Sequence, residues 1–227
     1  MVLDRLIAAL SAVFGGQGSS LSAEAPVQIF IGQGNPGAKY ADNRHNLGFM
    51  ALDRIADTHG FGPWRSKFQG EVSEGRISDV KVLLLKPQTF YNETGRSLSE
   101  ALRFFKLSAE DVTVFHDEID LAPGRIRTKQ GGGHSGNNGM RSIIAHVGAD
   151  VRRVRMGIGH PGDRSRVMPY VLSDFPSSET TWRDALLDAI SRSVSYLVDG
   201  DDERFQTDVL RLAPAPKSDP RKSGPEG

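Results

Sequence analysis

The sequence contains no cysteine. This absence excludes a disulfide framework, thiolate metal sites and a thiol nucleophile, and it fits a cytoplasmic protein best. No apolar run approaches the roughly 20 residues that a membrane-spanning helix requires. The first 14 residues carry Asp4 and no small-residue cleavage pattern, which argues against a secretory signal. We therefore expect a cytoplasmic protein that is not held in a membrane.

The chain also lacks an overall charge of either sign, since Lys plus Arg equals Asp plus Glu at 28 each. Any polyanionic partner must therefore be held by a local patch. The segment 125–166 contains nine basic and two acidic residues. A cluster of this kind is most often a solvated face that acids elsewhere in the fold balance. The other interpretation is a surface that binds a polyanion.

The 227 residues are enough for one well-buried core, and apolar runs alternate with segments of helical spacing. The predicted strands cover 27–31, 68–77, 79–85, 112–115, 125–128 and 151–158, and the predicted helices cover 47–60, 97–107, about 139 onward, and 178–198. This order predicts a single-domain α/β fold with a mixed, largely parallel twisted sheet and helices on both faces.

The ends of the chain differ from this central part. Residues 1–26 form an N-terminal extension, which we expect to be helical over its first 14 residues and then flexible. Residues 27–200 form the predicted catalytic domain. Residues 201–227 form a C-terminal tail, largely disordered after about residue 213 because Pro, Lys, Ser and Gly predominate there.

Polar side chains follow three of the predicted strands. His45 comes after the first strand, Asn92 after the third and Asp117 after the fourth. Taken singly, His45 and Asn92 are most often caps or turn residues, and Asp117 suits an imidazole partner, a cap or a metal ligand. Because ligands bind at the carboxyl edge of open α/β sheets, a common position at that edge favours catalysis by His45.

Two glycine-rich segments need separate interpretations. Gly32–Gly37 formally matches the dinucleotide-binding pattern, but Pro36 interrupts it and the nearest acid, Asp57, lies in a helical stretch. Gly131–Gly139 contains Ser135 without the closing glycine of a nucleophile elbow, which disfavours serine hydrolase chemistry. Its glycines and paired asparagines instead suit close approach of the backbone to a ligand.

The ordered set of these segments, from about residue 27 to 198, resembles the bacterial-type peptidyl-tRNA hydrolase family. The segments that carry the resemblance are Gly32–Gly37, Tyr40, Arg44-His45-Asn46, Lys86–Asn92, His116-Asp117-Glu118, Gly131–Gly139 and Gly157–Gly162. The resemblance implies a carboxylic ester hydrolase that releases a peptide, or an N-blocked aminoacyl group, from the terminal ribose of tRNA in ribosome rescue. It implies no cofactor and no metal, and a monomer whose partner is the acceptor stem and terminal nucleotides of peptidyl-tRNA, without an obligate protein partner.

The resemblance also implies roles for the site residues. His45 takes a proton from water, a task that suits an imidazole with its ordinary pKa of about 6.5. Asp117 holds the other ring nitrogen and stabilises the imidazolium. Asn35, Asn92 and Asn138 grip the peptide main chain, and Asn35 separates blocked from free aminoacyl-tRNA by pairing with the peptide amide.

The resemblance implies tRNA contacts as well. Tyr40 and Phe90 lie beside the terminal bases, and Lys129 with Arg153 or Arg155 grips an acceptor-stem phosphate. The oxyanion donor is either the Asn92 side chain or a backbone N–H.

Four positions depart from the pattern of the family. Tyr91 stands for the usual Met, Gln33 for Leu, Asn137 for a frequent His and Leu47 for a small residue. These departures affect the expected shape of the peptide pocket and remove no catalytic group. Two alternatives stay open: an RNA-binding module that has lost catalysis, and a nucleotide-dependent oxidoreductase supported only by the glycine pattern.

Overall fold

Seven strands form one sheet in the computed structural model, which describes residues 27–216. The strands are β1 Gln28–Gly32, β2 Arg65–Lys67, β3 Gly70–Ile77, β4 Val80–Pro87, β5 Val112–Glu118, β6 Ile126–Gln130 and β7 Arg152–Gly157, in the spatial order β2-β3-β4-β1-β5-β7-β6. The predicted N-terminal helix and flexible segment, and the tail from residue 217 onward, lie outside the described residues.

The four central strands β4, β1, β5 and β7 run parallel, and the outer pairs β2–β3, β3–β4 and β6–β7 are antiparallel. The prediction of a mixed sheet with a parallel centre is confirmed. Ile31 of β1 lies in register with Leu85 of β4 and Val114 of β5. The carboxyl ends of these strands therefore meet at one edge, where the segments bearing His45, Asn92 and Asp117 begin or end.

Within residues 27–216, six helices pack around the sheet. They are α1 Leu47–His59, α2 Thr94–Phe105, α3 Asn138–Val147, α4 Val167–Val171, α5 Ser177–Val198 and α6 Asp202–Leu212. Phe30 of β1 packs in a core with α1, α5 and α6, whereas its neighbours Ile29 and Ile31 pack in a second core with α2 and α3. Both faces of β1 are thus buried, which explains its continuous apolar run.

Helix α6 corrects the predicted end of the domain. The boundary at residue 200 is too early, because Phe205 and Val209 of α6 are fully buried in the core beside α5. The side chain of Asp201 caps this helix by accepting a hydrogen bond from the backbone N–H of Arg204. No helix within residues 27–216 is long and apolar enough to cross a membrane.

A glycine at the start of α1 fixes the position of the segment that carries His45. A Cβ atom at Gly48 would lie 2.4 Å from the carbonyl oxygen of Phe115 and 2.5 Å from the backbone nitrogen of Gln33. Only glycine therefore allows α1 to begin directly against β1 and β5. This contact places His45 beside the end of β5.

Candidate active site

His45 and Asp117 form a hydrogen-bonded pair at the carboxyl edge of the sheet. His45 lies in a 3-10 turn, Arg44–Asn46, between β1 and α1, and its Nδ1 is 2.9 Å and 3.0 Å from the two carboxylate oxygens of Asp117. A carboxylate only accepts, so the proton of the neutral ring belongs on Nδ1. The lone pair of Nε2 is then available to accept a proton.

The carboxyl group of Asp117 is buried but stays ionised. Burial raises its pKa, but the charge and hydrogen bond of His45, with further help from the Tyr91 hydroxyl, outweigh burial and leave the pKa of Asp117 below its usual value. Its side chain is 3% exposed, against 17% for His45. The pair therefore presents the imidazole to a ligand and keeps the carboxylate away from water.

Tyr91 completes this group, and the sequence indicated no role for it beyond its departure from the family pattern. Its ring stacks on the His45 imidazole with centroids 3.6 Å apart and an interplanar angle of 8°. Its hydroxyl donates to Asp117 Oδ1 at 3.0 Å and accepts from Asn137 Nδ2 at 3.0 Å. Burial, reinforced by the charge of Asp117, raises the pKa of Tyr91 well above its usual value, so the phenol is neutral.

Asn35 is held in place by its neighbours rather than by its own turn. Asn46 Oδ1 accepts from the backbone N–H of Asn35 at 2.9 Å, and Asn46 Nδ2 donates to the Asn35 carbonyl at 3.0 Å. The Asn35 side-chain oxygen accepts from the backbone N–H of Tyr91 at 3.0 Å. The Asn35 Nδ2 donor has no partner among residues 27–216 and is left for a ligand. The sequence indicates no role for Asn46, although it lies next to His45.

A cavity of about 430 Å³ opens beside this group. Its wall includes six of the residues predicted for the site, namely His45, Asp117, Lys129, Asn138, Arg153 and Arg155. Helix α4, which the sequence did not predict, supplies the apolar residues Val167, Met168 and Val171 to the lining. The lining of the cavity thus combines apolar side chains with basic ones.

The remaining predicted site residues lie outside the lining of this cavity. Asn35 is buried behind Tyr91, and Tyr40 is half-buried in a 3-10 turn with Lys39 Nζ 4.7 Å from its ring centroid. Phe90 is 59% exposed, and Asn92 is exposed in the turn Tyr91–Glu93. Phe90 and Asn92 are therefore open to a large ligand that extends beyond the cavity.

The three arginines of β7 differ from the basic residues around them, because each has a partner. Arg153 is buried and donates to the carbonyl oxygens of Gly132 and Gly133, Arg155 Nε donates to Glu118 at 2.8 Å, and Arg152 pairs with Asp202. The other basic residues of the segment, Arg125, Arg127, Lys129, Arg141, Arg164 and Arg166, are exposed. Arg153 therefore braces the glycine loop, whereas Lys129 is open to solvent at the rim of the cavity.

A second histidine, His116, also lines the cavity. Its Nδ1 lies 2.8 Å from the backbone carbonyl oxygen of Asp117, and its Nε2 has no hydrogen-bond partner within residues 27–216. Burial lowers the pKa of His116, although the neighbouring carbonyl and carboxylates oppose this effect. His116 is thus a neutral ring, and within residues 27–216 no carboxylate is bonded to its ring nitrogens.

The structure disfavours a dinucleotide site at the first glycine-rich loop. The segment after Gly32–Gly37 forms a 3-10 turn, Ala38–Tyr40, so this loop lacks the helix N-terminus that binds a dinucleotide pyrophosphate. Among the described residues, no group of three or more His, Asp or Glu side chains could hold a metal ion.

Comparison with known proteins decides the family. The model of the family described as peptidyl-tRNA hydrolase matches residues 29–215. The chain belongs to the peptidyl-tRNA hydrolase family. It is 61% identical over 203 residues to the peptidyl-tRNA hydrolase of Hyphomonas neptunium, covering 88% of this chain and 98% of that protein. It is 57% identical over 198 residues to that of Caulobacter vibrioides, covering 86% and 97%.

Solved structures of the peptidyl-tRNA hydrolase family agree with this assignment. The crystal structure of peptidyl-tRNA hydrolase from Acinetobacter baumannii has a TM-score of 0.78 and 37% sequence identity, and the match covers 86% of this chain and all of that one. The match to the family model ends at residue 215, beyond α6, in agreement with the packing of that helix. The predicted resemblance is therefore confirmed.

Proposed function

We propose that the chain hydrolyses the ester that joins a peptide, or an N-blocked aminoacyl group, to the terminal ribose of tRNA, and that it works in the cytoplasm as a monomer without an obligate protein partner. The observation that carries the proposal is the His45–Asp117 pair at the wall of a cavity with a basic side, in a member of this family.

The chemistry needs one general base and one water molecule. Nε2 of His45 takes a proton as the water oxygen bonds to the acyl carbon, and Asp117 stabilises the imidazolium that forms. The bond between the acyl carbon and the ribose oxygen then breaks, and the imidazolium returns its proton to that oxygen. The products are a peptide carboxylic acid, which loses its proton to the solvent, and a free ribose hydroxyl, and neither a metal nor a covalent bond to the enzyme takes part.

The asparagines supply neutral donors and acceptors for the substrate. Asn92 is exposed in the turn that carries Tyr91, and its amide can donate to the carbonyl oxygen that gains charge during attack; a backbone N–H remains the alternative donor. Asn138, exposed at the start of α3 on the cavity wall, is placed to bind the peptide main chain.

Asn35 discriminates between a blocked and a free α-amino group. Because its oxygen is occupied by the Tyr91 N–H, its free Nδ2 can donate to the carbonyl of the preceding peptide unit. A free α-ammonium group has only hydrogen-bond donors. It would face the Asn35 Nδ2 donor, and neither group would have an acceptor. Unpaired polar groups of this kind give strong rejection of the wrong substrate.

The tRNA contacts are sequence-independent. Phe90 and Tyr40 offer faces on which the terminal bases can stack. Lys129 and Arg155 supply the charge for a backbone phosphate, whereas the hydrogen bonds of Arg153 are used by the glycine loop.

The direct test is release of the acyl group from N-acetylated aminoacyl-tRNA by the purified chain, with the same tRNA carrying the unblocked amino acid as the matched control. We expect turnover of the blocked ester and, by comparison, a rate at least about 100-fold lower for the free one. Equal rates would remove the role of Asn35. Binding of the tRNA without any turnover would instead show an RNA-binding module that has lost catalysis.

Replacement of Lys129 by alanine is expected to weaken tRNA binding and to reduce the slope of log Kd against log salt by about one, because one phosphate contact and its counterion release are lost. The turnover number at saturation should stay near that of the wild type. Affinity measured over a salt series checks this, with Arg103→Ala on α2 as a control that removes the same charge far from the cavity. An unchanged slope would contradict the phosphate contact.

A further inference from the structure

The side chains of Tyr91 and Asn137 are joined by a hydrogen bond. Asn137 Oδ1 accepts from the backbone N–H of Met140 at 2.9 Å and caps α3, which fixes the orientation of the amide. Its Nδ2 must then be the atom that lies 3.0 Å from the Tyr91 hydroxyl oxygen. The amide therefore donates to Tyr91 and cannot accept from it.

This orientation fixes the direction of the next bond. Because the Tyr91 oxygen accepts a hydrogen bond from Asn137 Nδ2, its own hydrogen points to Asp117 Oδ1 at 3.0 Å. Asp117 in turn accepts from His45 Nδ1. The hydrogen-bond donors therefore run in sequence from Asn137 through Tyr91 to Asp117. A hydroxyl that accepts a hydrogen bond at its oxygen is a stronger donor through its own hydrogen.

We propose that Tyr91 is a positioning residue for the hydrolysis reaction: its ring fixes the plane of the His45 imidazole, and its hydroxyl, oriented by Asn137, holds Asp117 and limits the negative potential that His45 experiences. This inference rests on the proposed function, since it concerns the base of that reaction. Tyr91 and Asn137 act on the reaction through His45 and Asp117.

The electrostatic consequence has a definite sign. The positive end of the Tyr91 hydroxyl dipole points at Asp117, so its loss makes the potential at His45 more negative and favours the imidazolium. The active neutral base then forms at a higher pH. The other ionisable side chains around the cavity are His116 and Glu118 on β5, Lys129 on β6, His134 on the glycine loop, Arg153 and Arg155 on β7, and His160 and Arg164 beyond it. They stay unchanged in every variant below.

Tyr91→Phe keeps the stacked ring and removes only the hydroxyl. We expect kcat for N-acetylated aminoacyl-tRNA to fall about 3- to 10-fold with KM within about twofold of the wild type. We also expect the midpoint of the low-pH limb of kcat/KM to rise by about half a pH unit or more. Tyr196→Phe, which removes a hydroxyl on α5 away from the cavity, is the matched control and should change neither quantity.

A second variant tests whether Asn137 acts on Asp117 through the Tyr91 hydroxyl. Asn137→Ser keeps an N-cap for α3 but loses the amide donor to Tyr91, so it should shift the low-pH midpoint upward by less than Tyr91→Phe does. The double variant should shift it no further than Tyr91→Phe alone, because both changes act on one bond. If Tyr91→Phe did not fold, as judged by circular dichroism, Asn137→Ser would still report the sign of the shift.

Each outcome has one meaning. An upward shift in Tyr91→Phe that Asn137→Ser reproduces in part supports the inference. A loss of kcat without a change in the pH profile, or a wild-type profile in both variants, overturns it and leaves Tyr91 as a packing residue. Failure of the proposed function is a different result, namely no release of the blocked acyl group by the wild-type chain.

Discussion

Replacing His45 with alanine is expected to lower kcat for N-acetylated aminoacyl-tRNA at least about 10³-fold, while Kd for the same tRNA changes less than about threefold. In the proposed mechanism, the imidazole is the proton acceptor of the chemical step. The predicted tRNA contacts, by contrast, lie on other residues, such as Lys129 and Phe90. A loss of rate without a loss of tRNA affinity is therefore the result expected for a general base.

Single-turnover rates with saturating enzyme, together with tRNA affinity from filter binding, give the two quantities for His45→Ala. His146→Ala is the matched control, because His146 is exposed on α3 and does not line the cavity. A His45→Ala rate within about tenfold of the wild type would end the assignment of His45 as the general base, since general base catalysis is worth more than that.

Changing Asp117 to asparagine is expected to lower kcat about 10²- to 10⁴-fold with little change in affinity. The Tyr91 hydroxyl donates to Oδ1, so the new amide will keep its oxygen there and turn its Nδ2 toward His45 Nδ1. The ring must then accept at Nδ1 and carry its proton on Nε2, which is the wrong tautomer for a base.

The same change also removes the charge that stabilises the imidazolium. The low-pH midpoint of whatever kcat/KM remains should therefore move down, opposite to the shift expected for Tyr91→Phe. Rate measurements from about pH 5 to about pH 9 check both the loss and its sign. Asp120→Asn, an exposed neighbour beyond β5, is the control. An unaltered profile in Asp117→Asn would contradict the orienting role.

The position of the His45–Asp117 pair could be predicted from the sequence because it follows from backbone topology. The apolar runs of β1, β4 and β5 are buried on both faces, and such strands run parallel under covering helices. The segments that follow β1 and β4, and the end of β5, then share one edge. This argument and the resemblance both predict that His45 and Asp117 lie close together, without any knowledge of where their side chains point.

The contacts of Tyr91 could not be predicted in this way. Its hydroxyl joins Asp117 on β5 and Asn137 ahead of α3, so the bond depends on the positions of three separate segments. Its sequence context gave no periodic signal, and the family pattern marked it only as a departure. The role of Arg153 likewise cannot be predicted from the sequence, because it depends on the burial of its side chain and on its hydrogen bonds to the carbonyl oxygens of the glycine loop.

Helix α6 was missed for a different reason. Its apolar residues Phe205, Val209 and Leu212 have helical spacing, but the segment is only 11 residues long and five of these are charged, so the apolar period is weak. Packing against α5 stabilises it instead. Propensity and periodicity describe short helices poorly when a neighbouring helix supplies most of their stability.

The central claim is that a neutral His45, steered by Asp117, removes a proton from the attacking water. The pH dependence of the single-turnover rate tests it most directly. The wild-type rate should rise tenfold per pH unit at low pH and reach a plateau, and the small residual rate of His45→Ala should lack that inflection. A wild-type rate that does not vary with pH, or the same inflection in His45→Ala, would contradict it.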